Sequence, residues 1–406
     1  MRDVIIIGAG ASGLVTAIVA ARRGKKVLIL EKNNKVGKKL LATGNGKCNI
    51  TNQKPNINRF YSQNPSFIEQ SLDGYNYQSI KQFFKSIGLE LIEAKEGKVF
   101  PMSLQASSVV ELLLCECEQL GVKILCETEV TSISKQNNSY EVQHSKGKTI
   151  APSLVIATGH ISAPQLGGVD DGLNFAKRLG HTLVKPFPTL VQLTSSHKES
   201  YLKQMAGVKV ESRVTIETQQ GIVEKQGDVL FTTYGISGLA ILDISRFVME
   251  ELSKKKSIML TIDLMPKMSI EQLIALMKKS LVKKSSKPLK VWMQGFINKK
   301  LIEPILEPLK LQNETVGSIG TNVKEIERVV NKIKAFEFTV NGSQGYKGAE
   351  VATGGVNTKE INPKTMESKL NKGLYFTGEV LDVDGDRGGF NLHFAWVCGL
   401  RAGENI

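Results

Sequence analysis

The sequence predicts an α/β fold in which a parallel, dinucleotide-binding sheet is interrupted by an inserted domain, part β and part helical. Three observations lead there. A strand, glycine loop, helix and second strand follow one another within residues 1–31. Two later strands, at 154–159 and 374–379, each run into a Thr-Gly turn. Between them lies a long stretch of different texture, from Phe187 to about Phe338.

Val4-Ile5-Ile6-Ile7 is an uninterrupted apolar run, which suits a strand buried on both faces. Gly8-Ala9-Gly10-Ala11-Ser12-Gly13 follows, then an apolar-periodic helix to Arg23, a stop at Gly24 and a strand Val27 to Leu30. In this spacing Gly8 permits a tight turn, Gly10 lets the backbone approach a pyrophosphate, and Gly13 allows close helix–strand packing. The helix N-terminus offers free N–H groups to phosphates. Glu31 closes the second strand, placed to accept hydrogen bonds from ribose hydroxyls. The unit is expected to bind a dinucleotide.

Composition bounds the alternatives. The 406 residues are 41% hydrophobic and 23% charged, an ordinary globular balance. No apolar run approaches the ~20 residues of a membrane span, and the apolar N-terminus has glycines at dinucleotide-binding spacing instead of a basic leader. Cys48, Cys115, Cys117, Cys126 and Cys398 form no disulfide framework, so a reduced, cytoplasmic protein is expected. Cys115 and Cys117 lie two apart on a helix and should not share a metal; no metal site is expected. The net charge of +14 is uneven. Ser253 to Lys310 carries thirteen lysines against four carboxylates, with no arginine, the side chain favoured for specific phosphate and base contacts. A solvated face is therefore the first reading of that stretch, and nucleic acid is not the expected partner.

After Glu31 comes Lys39-Leu40-Leu41-Ala42-Thr43-Gly44-Asn45-Gly46-Lys47-Cys48-Asn49-Ile50-Thr51-Asn52, a donor-rich loop placed to cover the cofactor. Cys48 is alone, which argues against disulfide chemistry. Helices are expected at Gln78–Gly88 and Ser107–Leu120, a turn at Gly97–Pro101, and an antiparallel meander from Glu129 to about Ile150. In the insert, Val208–Val210, Val214–Glu217 and Val229–Thr232 read as strands of a half-exposed sheet or small barrel. Ser269–Leu281, Val291–Leu306 and Asn322–Ile333 read as helices, with Ser269 and Asn322 as N-caps. The expected division is 1–186 with 339–406 for the nucleotide domain and 187–338 for the substrate domain, β at about 187–250 and helical at about 268–335. Finally, Val380 to Gly389 is an acidic, glycine-rich loop before a helix Phe390–Arg401. That helix N-terminus could receive the electron-rich edge of a reduced flavin.

Taken together, GAGASG at 8–13, KLLATGNGKCNITN at 39–52, GKVFPMSLQASSV at 97–109, ATG at 157–159, GISG at 235–238, ATGG at 352–355 and TGEVLDVDGDRGGFNLHFAWVCG at 377–399 resemble the BaiN/YhiN flavoproteins, the family with aminoacetone-oxidase-like, NAD(P)/FAD-dependent oxidoreductases. The resemblance runs nearly end to end. It implies a glutathione-reductase-like, two-dinucleotide-binding FAD domain. It also implies FAD contacts from Gly8, Gly10, Ala11, Ser12 and Gly13, from Glu31 and Lys32, from Lys39, Gly44 and Asn45, from backbone near Val130, and from Asp386, Gly388, Gly389, Phe390 and Asn391. Thr158, Gly159, Gly378 and Glu379, at the ends of the later strands, complete the candidate set. The chain departs from the family where the Ala-Thr-Gly turn continues into His160 instead of glycine, and where His393 replaces the usual glutamine. These two histidines are the candidates for proton transfer, and no residue stands out as an obligate acid or base.

The expected activity is FAD-dependent hydride transfer to or from a small organic substrate. A second Gly-x-Gly-x-x-Gly is missing after the 154–159 strand. NAD(P)H would then bind without its own Rossmann unit, or dioxygen would reoxidise a flavin reduced by substrate. An FAD-dependent RNA-modifying enzyme and a flavin-binding regulatory protein without turnover are the alternatives. Substrate and oligomeric state are left open.

Overall fold

The computed structural model describes residues 2–281, 285–319 and 323–406. Lys283, Lys284 and the expected cap Asn322 lie outside them. The chain divides into two compact units, 1–187 with 350–406, and 188–349.

The first unit is built on a five-stranded parallel sheet in the order Leu374–Phe376, Ser153–Ile156, β1 (Val4–Ile7), β2 (Val27–Leu30) and Lys123–Leu125. All four residues of β1 and of β2 are buried, as expected of strands covered on both faces. The helix α1 (Ala11–Arg22) crosses from β1 to β2, and the C-terminal helix Phe390–Asn405 packs against it. That packing needs two glycines. A Cβ at Gly399 would stand 2.8 Å from the Ser12 carbonyl oxygen, and one at Gly403 2.6 Å from the Val19 Cβ. The meander is present as Val130–Gln136, Ser139–His144 and Gly147–Ala151, antiparallel throughout. Lys98–Pro101 is a strand, not the expected turn. Its alternating Val99 and Pro101 are buried, and it pairs with both Thr51–Asn52 and Leu91–Glu93.

The second unit is a closed six-stranded barrel with helices. Its strands run Leu193–Ser195, Gly235–Ser237, Gly221–Phe231, Lys209–Thr218, Ile258–Asp263 and Phe336–Ser343, and the first and last pair to close it. Val214, Ile216, Val229, Phe231, Leu260, Phe338 and Val340 fill its core. Two expected strands, at 208–210 and 214–217, are one, because Ser212 is buried in register with its apolar neighbours. The last barrel strand crosses residue 338, so the second unit extends eleven residues past the expected boundary. Helix Ile270–Lys279 starts at a capping box in which Ser269 and Gln272 exchange hydrogen bonds. The expected helix at 291–306 is broken into Leu289–Trp292, a short 3-10 turn, and Lys299–Leu306, which begins with the Asn298 side chain accepting from the Lys300 N–H.

Candidate cofactor site

Parallel pairing brings the strand ends of the first unit to one edge. The Gly8 N–H donates to the Leu30 carbonyl, the Ala157 N–H to Ile7, and the Thr377 N–H to Ile156. Gly8–Gly13, Thr158-Gly159 and Gly378-Glu379 therefore share the carboxyl edge of the sheet, where open α/β sheets hold their ligands.

The first glycine loop divides its labour. Gly8 has φ +104°, and a Cβ there would lie 2.4 Å from the Ala157 carbonyl oxygen. A Cβ at Gly13 would lie 2.1 Å from the Gly8 carbonyl oxygen. Around Gly10, by contrast, a Cβ would meet no protein atom within 4 Å. Gly10 is the N-cap of α1 and has no side chain to cap it, and the first turn carries no acid. The free N–H groups of α1 thus face open space. Ser12 donates its hydroxyl to the Thr377 carbonyl at 3.2 Å, and Ala11 is half-buried beside it.

Glu31 is buried, with its carboxylate largely engaged. Oε2 accepts the Ala9 N–H at 2.8 Å, and Oε1 accepts the backbone and side-chain N–H groups of Asn33, both at 2.8 Å. A carboxylate has about four lone-pair directions, so roughly one remains for a ribose hydroxyl. The Thr128 N–H donates to the Glu31 carbonyl, which brings the segment leading to Val130 alongside. Lys32 pairs with Glu129 at 2.7 Å and Asp171 at 3.3 Å, and the bond to Glu129 raises its pKa. Lys39 donates to Ser162 Oγ at 2.6 Å and to Glu379 Oε2 at 2.8 Å, tying the donor-rich loop to the last strand end. Gly44 and Asn45 adopt left-handed backbone, φ +57° and +55°, on an exposed turn.

At the second loop, Gly389 is the N-cap of the C-terminal helix, again without a side-chain cap or a first-turn acid. Asp386 is clamped by Arg59 Nε at 2.5 Å and the Tyr61 hydroxyl at 2.9 Å. Asn391 closes the loop on itself. Its Oδ1 accepts the Gly385 N–H, and its Nδ2 donates to the Gly385 carbonyl. Phe390 is 1% exposed, its ring edge-on to Phe60 and under the Arg59 guanidinium. The ring belongs to the core, and Gly388 is buried beside it, so the segment presents backbone.

His393, one of the two candidates for proton transfer, lies in the interior. It is fully enclosed, with Nε2 donating to the Tyr75 carbonyl at 3.3 Å and Nδ1 accepting from Thr51 Oγ1 at 2.8 Å. Burial pushes its pKa down to about 4, so the ring is neutral and has no surface to offer a substrate. His160 is 1% exposed, and burial lowers it to about 4 as well. Its Nδ1 accepts the Ile161 N–H at 2.8 Å, so its proton lies on Nε2, which has no acceptor among the described residues. Thr377 Oγ1, buried at the same edge, also has no partner among the described residues. Among the described residues no cluster of three His, Cys, Asp or Glu could hold a metal, and no helix is long and apolar enough to cross a membrane.

Sequence reasoning missed Ser162, Arg59 and Tyr61, each joined to its partner across 123 to 327 residues. It also missed Gly399 and Gly403, for which the four-residue spacing on one helix face was the available signal.

Two uncapped helix N-termini, a glycine that faces open space and unpartnered buried polar atoms at one sheet edge fit an extended dinucleotide carrying phosphates. They define a Rossmann-type dinucleotide-binding domain. The chain belongs to the family of the HI0933-like protein Rossmann domain, whose model matches residues 2–405. It is similar, at 34% identity over 100% of this chain and 98% of the relative, to a 3-dehydro-bile acid delta(4,6)-reductase of Clostridium scindens. It is 35% identical to a ribosomal RNA dihydrouridine synthase of Haemophilus influenzae over 99% of this chain and 98% of that protein. A ribosomal RNA dihydrouridine synthase of Escherichia coli is 31% identical, covering 100% and 98%. The resemblance to BaiN/YhiN flavoproteins read from the motifs holds across the chain.

Proposed function

We propose that this chain is a reductase that adds a hydride and a proton across a carbon–carbon double bond conjugated to a carbonyl. The observation that carries the reading is that relatives at nearly equal distance are named for that one transformation on unlike substrates. A 3-dehydro-bile acid has a ring carbonyl that activates a neighbouring double bond. Dihydrouridine is uridine saturated at C5–C6, a bond conjugated to the C4 carbonyl. Both need hydride at the β-carbon and support for the oxygen that gains charge.

FAD, when bound and reduced, supplies the hydride. In this reading Gly8–Gly13 and the uncapped end of α1 hold the phosphates, and Glu31 holds a ribose hydroxyl with its remaining lone pair. Lys39, paired to Glu379, fixes the loop with Gly44 and Asn45 over the site. Thr158-Gly159, Gly378 and the backbone of Asp386 to Gly389 line the edge. The C-terminal helix N-terminus favours negative charge on the far end of the cofactor. A net reduction requires an external two-electron donor, which favours NAD(P)H over dioxygen as redox partner.

Within this class, a specific observation favours uridine of ribosomal RNA over a small enone. The segment 253–310 has a charge balance of +9, which suits a polyanion. The test is anaerobic. Flavin is reduced with NADPH and mixed with either an unmodified ribosomal RNA transcript or a 3-oxo-Δ4 steroid, and the flavin band is followed. Reoxidation by RNA with dihydrouridine formed supports the uridine reading, and reoxidation by the steroid alone supports the small-molecule one. Reoxidation by neither, with bleaching by an aminoketone instead, sinks the reductase assignment.

A further inference from the structure

The lysines of the second unit fall into two populations. Most are paired. Lys198 meets Glu307, Lys203 meets Glu199, Lys209 meets Asp228, Lys267 meets Glu211 and Lys334 meets Asp263. Lys254 and Lys255, in the conspicuous Lys254-Lys255-Lys256 run, both reach the enclosed Glu251 carboxylate. Two of the three ammonium groups of that run thus share one carboxylate.

Lys278, Lys279, Lys287 and Lys290 differ. All four are exposed, and none has a carboxylate partner among the described residues. They gather where the end of helix Ile270–Lys279 meets the short helix Leu289–Trp292. Trp292 Nε1 donates to the Ser280 carbonyl at 3.4 Å, so the two helix ends are joined. The strand-like stretch before Leu289 is held by backbone bonds from Val316 to Lys287 and from Leu289 to Glu314. On that facing turn the carboxylate of Glu314 accepts from Ser318 Oγ at 2.6 Å. Beside the lysines, Val291 is exposed and Trp292 stacks edge-on with Phe296 at 4.8 Å, both rings half-exposed. Unbalanced ammonium groups around a partly open aromatic pair combine the two features that single-stranded or looped RNA requires, phosphate neutralisation and a surface for stacked bases.

We propose that Lys278, Lys279, Lys287 and Lys290, with Trp292, form an RNA-docking face that holds a ribosomal RNA loop through its phosphates. The inference rests on the uridine reading above. Lysine, a mobile point charge, suits backbone contacts that do not discriminate sequence, so this face supplies affinity and leaves choice of base to the flavin site.

The test measures anisotropy of a fluorescein-labelled, uridine-containing RNA hairpin on flavin-loaded protein across a salt series. In the variant K278Q/K279Q/K287Q/K290Q the slope of log affinity against log salt should fall by about 3, at roughly 0.7–0.9 for each phosphate no longer neutralised. Affinity near 0.1 M salt should drop at least tenfold. The control K203Q/K254Q/K267Q, drawn from paired lysines, should bind as wild type, and Trp292→Ala should weaken binding without changing the slope. Retained flavin and melting temperature verify folding of these surface variants. Unchanged binding by the quadruple variant, or equal weakening of the control, overturns the face. If the wild type binds and reduces RNA while the quadruple variant behaves identically, the face falls and the uridine reading stands. If the wild type does not bind RNA at all, both fall.

Discussion

Gly8–Gly13 and Gly385–Gly389 each lead into a helix without a side-chain cap, yet their surroundings differ. In the first loop the protein needs two glycines for itself, Gly8 and Gly13, and leaves Gly10 facing open space. In the second, protein atoms crowd nearly every position. A Cβ at Gly385 would meet the Phe390 Cβ at 2.8 Å, and one at Gly389 the Thr51 carbonyl oxygen at 2.4 Å, while Asn391 and Asp386 are engaged by loop and clamp. The first loop is a cradle with one open place. The second is a rigid wall assembled from segments 300 residues apart. Similar glycine-rich strings therefore need not present similar surfaces to a ligand.

Substitutions can break this contrast. Gly13→Ala should have the largest effect, because its Cβ meets backbone at 2.1 Å and neither partner can turn aside. About 3 kcal/mol or more of stability should be lost in urea titrations. Next is the support behind the second loop. His393 has a folded pKa of about 4 against an ordinary 6.5. Between these values the unfolded chain takes up a proton that the folded chain refuses, so stability falls as pH drops from about 6.5 to 4. The loss attributable to this ring is about 3 kcal/mol. In His393→Gln that part of the pH dependence should vanish, and an unchanged slope would show that another group carries it. Gly389→Ala, with φ +99°, should cost about 2 kcal/mol. Gly10→Ala should be smallest in stability, within about 0.5 kcal/mol, because no protein atom opposes the methyl group. Its effect should instead appear as at least tenfold weaker FAD retention. Equal losses at Gly10 and Gly13 would erase the distinction between them.

What could be read from the sequence was what is local in the chain. The β1–α1–β2 unit was legible because its glycines, helix and acid occur in one short window whose spacing is physically constrained. Ser269 as a cap was legible for the same reason, through Gln272 three residues on. The Arg59–Asp386 clamp and the bond from Lys39 to Glu379 were not, because nothing in either local pattern names a partner more than 320 residues away. His393 shows the converse problem. Its place near the start of a helix behind the glycine loop made it a candidate for proton transfer, while the helix turns it inward to Thr51 and Tyr75. The break before Lys299 was similarly hidden, since helical spacing of apolar residues continues across it.

The contact of Gly399 and Gly403 with α1 has a consequence for how the protein is made. The helix that completes the first unit, Phe390–Asn405, follows the loop it backs by more than 370 residues. During synthesis at ~5–20 residues per second, the N-terminal loop must wait on the order of tens of seconds for its partner. Until residues 390–405 leave the ribosome, α1 presents an uncovered apolar side. The nascent chain thus has a late, long-range closing step, and cofactor capture at the completed edge follows the docking of residues 390–405 on α1.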